Sequence, residues 1–327
     1  MRMKRRASRI ALATGLLWAA PLLGHGSETK VDPAVAAYAK VSGVAGNLSS
    51  IGSDTLNNLM TFWAEAFSAA YPSVRVQVEG KGSSTAPPAL IEATAQLGPM
   101  SRAMKSDELD AFEKKFGYPP TQIRVAVDAL AVYVHKDNPL QKLTLPQVDA
   151  IFSKSRRCGA PAPLDSWGAL EVAGTLAAQP IRLYGRNSAS GTYGYFKEVA
   201  LCGGDFRDTV KEQPGSASVV QGVTEDKLGI GYSGLGYKTS GVKALSLAKD
   251  AKTPFASTDP EEVYAGKYPL ARFLYVYVNR APGKPLDPLT DQFLRFVLSR
   301  EGQEIVLKDG YLPLKSGVIE QELAKLK

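Results

Sequence analysis

Four stretches of this sequence gather glycine and hydroxyl residues between an apolar run and a helix-forming one. They are Gly52-Ser53-Asp54-Thr55, Gly80-Lys81-Gly82-Ser83-Ser84-Thr85, Ser101-Arg102, and Gly185-Arg186-Asn187-Ser188-Ala189-Ser190-Gly191-Thr192. The chemistry they suit is capture of an anion. A helix N-terminus presents free N–H groups and a partial positive charge. Small hydroxyl side chains add donors without blocking approach. Arg102 and Arg186 add guanidinium forks that match a tetrahedral oxyanion. Taken singly, each stretch reads more readily as a helix cap with no ligand. Four in one chain, two with arginine, favour a shared anion. The run 186–192 is the most specific, with Gly191 allowing close backbone approach between the donors Ser190 and Thr192.

Other chemistries are short of residues. The chain has two histidines, His25 and His135. A zinc hydrolase, a Ser-His-Asp triad or a Cys-His pair needs more than these supply. His135 follows an alternating apolar run and reads as a strand-end surface residue. No lysine follows these glycines as a nucleotide-cradling loop requires, since Lys81 precedes Ser83 and Ser84. Asp54, Asp107 and Asp128 lack a metal-ligand spacing. No enzyme activity, cofactor or metal is therefore expected.

The elements that must position these stretches alternate. Residues 48–51 read as a strand, followed by a helix with Leu56, Leu59, Met60, Trp63 and Phe67 on one face. Residues 74–79 alternate strictly and lead to a helix with Leu90 and Ile91. Residues 96–100 form a weaker third strand, and Ser106-Asp107-Glu108-Leu109 opens the next helix. Strand, Gly/Ser loop, helix, three times over, predicts an α/β unit with a parallel sheet. Residues 125–134 read as one long strand, 146–152 as a short helix, and 181–184 as a strand. The helix after Thr192 runs through Tyr195, Phe196 and Val199. Near the end, 273–278 reads as a strand, and two helices carry Phe293, Phe296 and Val297, then Ile305 and Val306. In open α/β sheets ligands bind at the carboxyl ends of strands, where all four stretches fall.

The 327 residues allow two domains of roughly 150 residues each, and 44% hydrophobic with 22% charged is an ordinary globular composition. The net charge of +7 suggests a nucleic-acid partner until its location is considered. Arg2, Lys4, Arg5, Arg6 and Arg9 precede any acid, and without residues 1–26 the charge is +2, so no nucleic acid is expected. Those 26 residues have the basic start, apolar middle and small residues (Gly24, Gly26) of a secretory signal. Cleavage is expected near Gly26, giving a periplasmic protein. A short membrane anchor is the alternative, although no apolar run reaches the roughly 18 residues of a span. Arg5-Arg6 permits twin-arginine export, but the surrounding motif is poor and general secretion is favoured. No cysteine lies near the cut for a lipid anchor. Cys158 and Cys202 are the only cysteines. In an exported chain an even pair reads as a disulfide, the alternative being two separate buried thiols.

Six motifs then occur in order: Ile51-Gly52-Ser53-Asp54-Thr55, the glycine-serine run from Gly80 to Thr85, Ser101-Arg102, the run from Tyr184 to Thr192, Gly229-Ile230-Gly231-Tyr232, and Gly310-Tyr311-Leu312-Pro313. Over residues 47–318 they resemble the periplasmic phosphate-binding proteins of ABC phosphate transporters, a branch of the class II solute-binding proteins. The resemblance implies an α/β, two-lobe periplasmic-binding-protein type II fold with a hinge of two crossing strands, here 125–134 and 273–278. Lobe 1 would comprise 47–130 and 270–327, and lobe 2 would comprise 131–269. The implied function is capture of inorganic phosphate between the lobes, by a monomer, for an ABC permease. The implied ligand set is Ser53, Asp54, Thr55, Ser83, Ser84, Ser101, Arg102, Arg186, Ser190, Gly191 and Thr192.

Two departures stand out. The well-known branch has an Asp in the third loop that accepts the phosphate proton, where this chain reads Ser101-Arg102. It also has an Asp two residues after the loop arginine, where this chain has Ser188. Asp54 could take over as acceptor, or could merely cap its own helix. The alternative functions are binding of another oxyanion, such as sulfate or a phosphonate, or an exported phosphoesterase. Scarce histidine and unclustered carboxylates argue against the last.

Overall fold

A computed structural model describes residues 29–327; the expected leader and its cleavage site lie outside them. In chain order the strands are β1 (Gly46–Gly52), β2 (Val74–Gly80), β3 (Gly98–Met100), β4 (Thr121–Ala129), β5 (Ala131–His135), β6 (Lys142–Thr144), β7 (Arg182–Arg186), β8 (Lys211–Gln213), β9 (Gly229–Ser233), β10 (Val242–Ala244), β11 (Ser246–Ala248) and β12 (Ala271–Val278). The helices are α1 (Asn57–Ala70), α2 (Ala86–Ile91), α3 (Ser106–Phe116), α4 (Leu145–Phe152), α5 (Gly191–Val199), α6 (Ser216–Glu225), α7 (Pro260–Tyr264), α8 (Pro288–Val297), α9 (Arg300–Lys308) and α10 (Ser316–Ala324).

Two large cores, with two smaller clusters beside them, divide these elements. Leu59, Met60, Trp63 and Phe67 fall on one face of α1 and are fully buried, as their spacing predicts. They pack in one core with Ile123, Val125, Leu274, Phe293 and Phe296. Trp63 Nε1 donates to the Gly302 carbonyl at 2.8 Å, tying α1 to α9. The other core gathers Val132, Phe152, Trp167, Phe196, Tyr232 and Leu270 beneath a five-stranded sheet of order β10-β5-β9-β7-β8. The chain passes between the cores twice. β4 and β12 pair antiparallel on one side, and the Leu130 N–H donates to the Leu270 carbonyl at the crossing. The expected continuous strand 125–134 is thus two strands broken at Leu130. β4 pairs with β12 and β5 with β9 and β10, so the backbone must leave one ladder to join the other.

Three further expectations change. β1 and β2 are parallel, with Gly46 opposite Val74, but β3 pairs antiparallel with β12. Ile51 and Ser53 still donate to the Leu97 and Pro99 carbonyls, yet Pro99 has no N–H to extend that ladder. Three helices close the chain rather than two, because α10 adds Ile319 and Glu322 to the interior. Helix α6 was not foreseen, although Ser216, Val219, Val220 and Val223 give it a buried face. Cys158 and Cys202 are joined, with Cα atoms 5.5 Å apart across a separation of 44 residues. A loop of that length gains about 4 kcal/mol on chain-entropy grounds. His135 does end a strand but is buried, its Nδ1 accepting from the Asp137 N–H at 3.1 Å.

Candidate functional site

The four stretches converge where the two cores face each other. β1 delivers Ser53 to a short 3-10 turn, Asp54–Leu56, pinned by Tyr311 donating to the Thr55 carbonyl and Tyr237 to the Asp54 carbonyl. β2 ends at a turn in which Gly82 has φ +119°, and a Cβ there would lie 2.5 Å from the Ala189 carbonyl oxygen. Only glycine fits. The next residue but one, Ser84, then donates both its N–H and its hydroxyl to that same carbonyl, at 3.2 and 3.0 Å.

A buried hydroxyl cluster results. Thr55 Oγ1 lies 2.9 Å from Thr192 Oγ1, and Ser101 Oγ lies 3.3 Å from Ser83 Oγ and 3.5 Å from Thr192 Oγ1. The Ser101 N–H donates to Ser83 Oγ at 3.0 Å. A Cβ on Gly191 would stand 2.2 Å from Ser83 Oγ and 2.7 Å from Ser101 Oγ, so α5 can begin this close only with glycine. Ser190 caps α5, accepting from the Thr192 and Tyr193 N–H groups.

Asp54 and Arg186 meet beside this cluster. Arg186 ends β7 and is 1% exposed. Its Nη1 donates to Ser216 Oγ at 2.7 Å and lies 3.2 Å from Asp54 Oδ2, and its Nη2 donates to the Pro214 carbonyl. Its Nε is buried with no hydrogen-bond partner. Burial pushes the guanidinium below its ordinary pKa, Asp54 opposes that, and the positive charge of Arg272 adds to it. Asp54 does not cap its own turn. Its Oδ2 accepts the Ser216 N–H at 2.8 Å, at the start of α6 in the facing core.

Of the expected residues, Thr55, Ser83, Ser101, Gly191 and Thr192 come together, with Asp54 and Arg186 adjoining. Ser53 is buried, its N–H on the Pro99 carbonyl, and Ser84 is turned to Ala189. Arg102 is not brought to them. Its guanidinium grips Glu108 through two bonds of 2.7 and 2.6 Å and lines a crevice with Lys105, Tyr195, Glu198 and Arg272.

Sequence reasoning missed Arg272. It faces Asp128 across the β4–β12 ladder and donates to Asp128 Oδ2, to the Ser101 carbonyl and to Thr192 Oγ1. A signal existed. Asp128 and Arg272 each interrupt an apolar strand, and buried charges of opposite sign are usually paired. Ser216 and the α6 N-terminus were also missed. Among the described residues no group of three or more His, Cys, Asp or Glu could hold a metal ion.

Known proteins share this fold. The PBP superfamily domain matches residues 37–301. The phosphate-binding protein PstS of Pseudomonas aeruginosa is 60% identical over 296 residues, 90% of this chain and 92% of that protein. A Clostridium perfringens structure, assigned as a phosphate ABC transporter substrate-binding protein and holding phosphate, matches with a TM-score of 0.69 and 26% identity. That match covers 83% of this chain and all of that one. An ABC-type phosphate transport receptor from Vibrio cholerae, 21% identical with a TM-score of 0.61 over 82% of this chain and all of that one, shares the fold.

Proposed function

From the premise that this chain belongs to the PBP superfamily, and within it to the phosphate-binding proteins, we propose that it captures inorganic phosphate and hands it to an ABC permease. The observation that carries the reading is Arg186. A buried guanidinium with an unsatisfied Nε, beside a cluster of buried hydroxyls and two helix N-termini, is short of an acceptor. A tetrahedral dianion supplies several acceptor oxygens and offsets the cost of burying the charge.

In this reading the ligand set is Ser53, Asp54, Thr55, Ser83, Ser84, Ser101, Arg186, Ser190, Gly191 and Thr192, and Arg102 stands apart with Glu108. Asp54 serves as acceptor for the phosphate proton, since Oδ2 is engaged by Ser216 and Arg186 while Oδ1 makes no protein hydrogen bond. Residues 47–130 with 270–327, and residues 131–269, move as two lobes about Leu130 and Leu270. Residues 1–26 direct export to the periplasm and are removed there. The protein acts as a monomer that binds and releases phosphate without chemical change.

Isothermal titration against phosphate, arsenate and sulfate tests this. Phosphate and arsenate should both bind, and sulfate more weakly, because it offers Asp54 no proton at neutral pH. A protein that takes up none of the three overturns the reading.

A further inference from the structure

We propose that Arg272 is a positioning residue for phosphate capture: it fixes the Thr192 hydroxyl so that the cluster presents protons, rather than lone pairs, to the anion. The proposal rests on the phosphate reading above and deepens it.

Arg272 is held on several sides. Nε and Nη2 donate to Asp128 Oδ2 at 3.0 and 2.7 Å, and Asp128 Oδ1 accepts the Leu235 N–H at 2.9 Å. The Tyr195 ring covers the guanidinium at 5.3 Å. So anchored, Arg272 reaches both sides of the cleft, donating from Nη1 to the Ser101 carbonyl and from Nη2 to Thr192 Oγ1, each at 2.9 Å.

The consequence follows from what each group can do. A guanidinium donates and never accepts. Thr192 Oγ1 must therefore accept from Arg272 with one lone pair and turn its own proton elsewhere, to Thr55 Oγ1 at 2.9 Å, to Ser101 Oγ at 3.5 Å or to an anion oxygen. Once Thr55 Oγ1 accepts that proton, it has its own left to give. On the facing side the Ser101 N–H, also donor only, makes Ser83 Oγ an acceptor and frees the Ser83 proton. Each hydroxyl chain thus begins at an N–H and ends in an O–H available to a ligand. A charged donor at the head strengthens the bonds behind it. Without Arg272 the Thr192 lone pair that it occupies is left free to face the anion. Asp128 neutralises Arg272, so the role assigned is orientation rather than attraction.

Calorimetric titration of the exported protein with inorganic phosphate tests this. The variants are Arg272→Met/Asp128→Asn, which removes both charges together, Thr192→Val, and the combination of all three. Each of the first two should weaken phosphate at least tenfold, and the combination should be no more than about twofold weaker than the worse of them. That non-additivity is a readout a merely structural role would not produce. If Arg272→Met/Asp128→Asn does not fold, Arg272→Lys is titrated in its place under the same criterion. It keeps the ion pair but lacks the fork to reach Ser101 and Thr192 together. Losses that multiply, or wild-type affinity without Arg272, overturn the proposal alone. A wild type that takes no phosphate overturns the functional reading, and the proposal with it.

Discussion

Two buried arginines adjoin the same hydroxyl cluster and are satisfied in different ways. Arg272, 6% exposed, gives every donor nitrogen a protein acceptor and has a fully buried carboxylate as partner. Arg186, 1% exposed, has an orphan Nε, and its carboxylate, Asp54, comes from the facing core and keeps 22% of its side chain accessible. A buried donor without a partner costs about 1–3 kcal/mol. The contrast teaches which of the two waits for a ligand. A guanidinium completed by the protein can orient its neighbours, whereas one left incomplete across a cleft can recruit an anion.

The comparison breaks most readily at Asp128. Asp128→Ala strands a buried guanidinium and should cost about 3–5 kcal/mol of stability, read from urea unfolding. Asp54→Ala, which removes a partly accessible partner and a helix cap, should cost less, about 1–2 kcal/mol. Equal losses would erase the distinction. Next in size is Arg186→Ala. Each charge-assisted hydrogen bond contributes about 1.5–3 kcal/mol, so phosphate and sulfate should both weaken by at least about tenfold in calorimetric titration. Ligand-free stability should change little, and a loss as large as that of Asp128→Ala would make Arg186 a structural residue.

A half-buried carboxyl sharpens the contrast because no counter-ion pairs with it among the described residues. Burial pushes the Asp309 carboxyl up to about 7, and its Oδ2 lacks a hydrogen-bond partner. The folded state therefore holds a proton that the unfolded chain, with an aspartate near 3.9, has released. Stability from this group is full below about pH 4 and is lost as pH rises toward 7. Asp309→Asn should raise the melting temperature at pH 8 and flatten its decline between pH 4 and 7; an unchanged profile would show that Asp309 does not govern it. The smallest effect is expected at Asp54. Asp54→Asn should weaken phosphate and admit sulfate, narrowing their ratio several-fold, and a constant ratio would place discrimination elsewhere.

Much of this was legible in the residues. The α1 face, the four loops, the cysteine pair and the two-lobe fold all rest on local pattern or ordered motifs, and local pattern survives folding. What was hidden depended on distance. Arg272 and Asp128 lie 144 residues apart and meet only because β4 and β12 cross in register. Arg102 takes another partner for the opposite reason. Glu108, six residues on, is close enough to claim it, and no loop motif records which way a long side chain turns. Asp54 was weighed as a cap for its own helix, yet it caps α6, an element absent from the sequence-level picture.

That cap reaches beyond the anion. Asp54 and Ser216 stand on opposite sides of the cleft, as do Thr55 and Thr192, and Ser84 and Ala189. Opening about Leu130 and Leu270, as proposed above, would break all three, and an uncapped helix alone costs about 1 kcal/mol. These contacts bias the empty protein toward the shape that can bind, and apparent affinity scales with the fraction of molecules already in that shape. Raising that fraction from about 1% to about 10% would tighten phosphate tenfold without altering one contact to it. Substitutions at Ala189, or at Gly215 just before α6 where an added Cβ would stand 3.2 Å from Asp54 Oδ1, can thereby set how scarce a phosphate supply the protein is able to draw on.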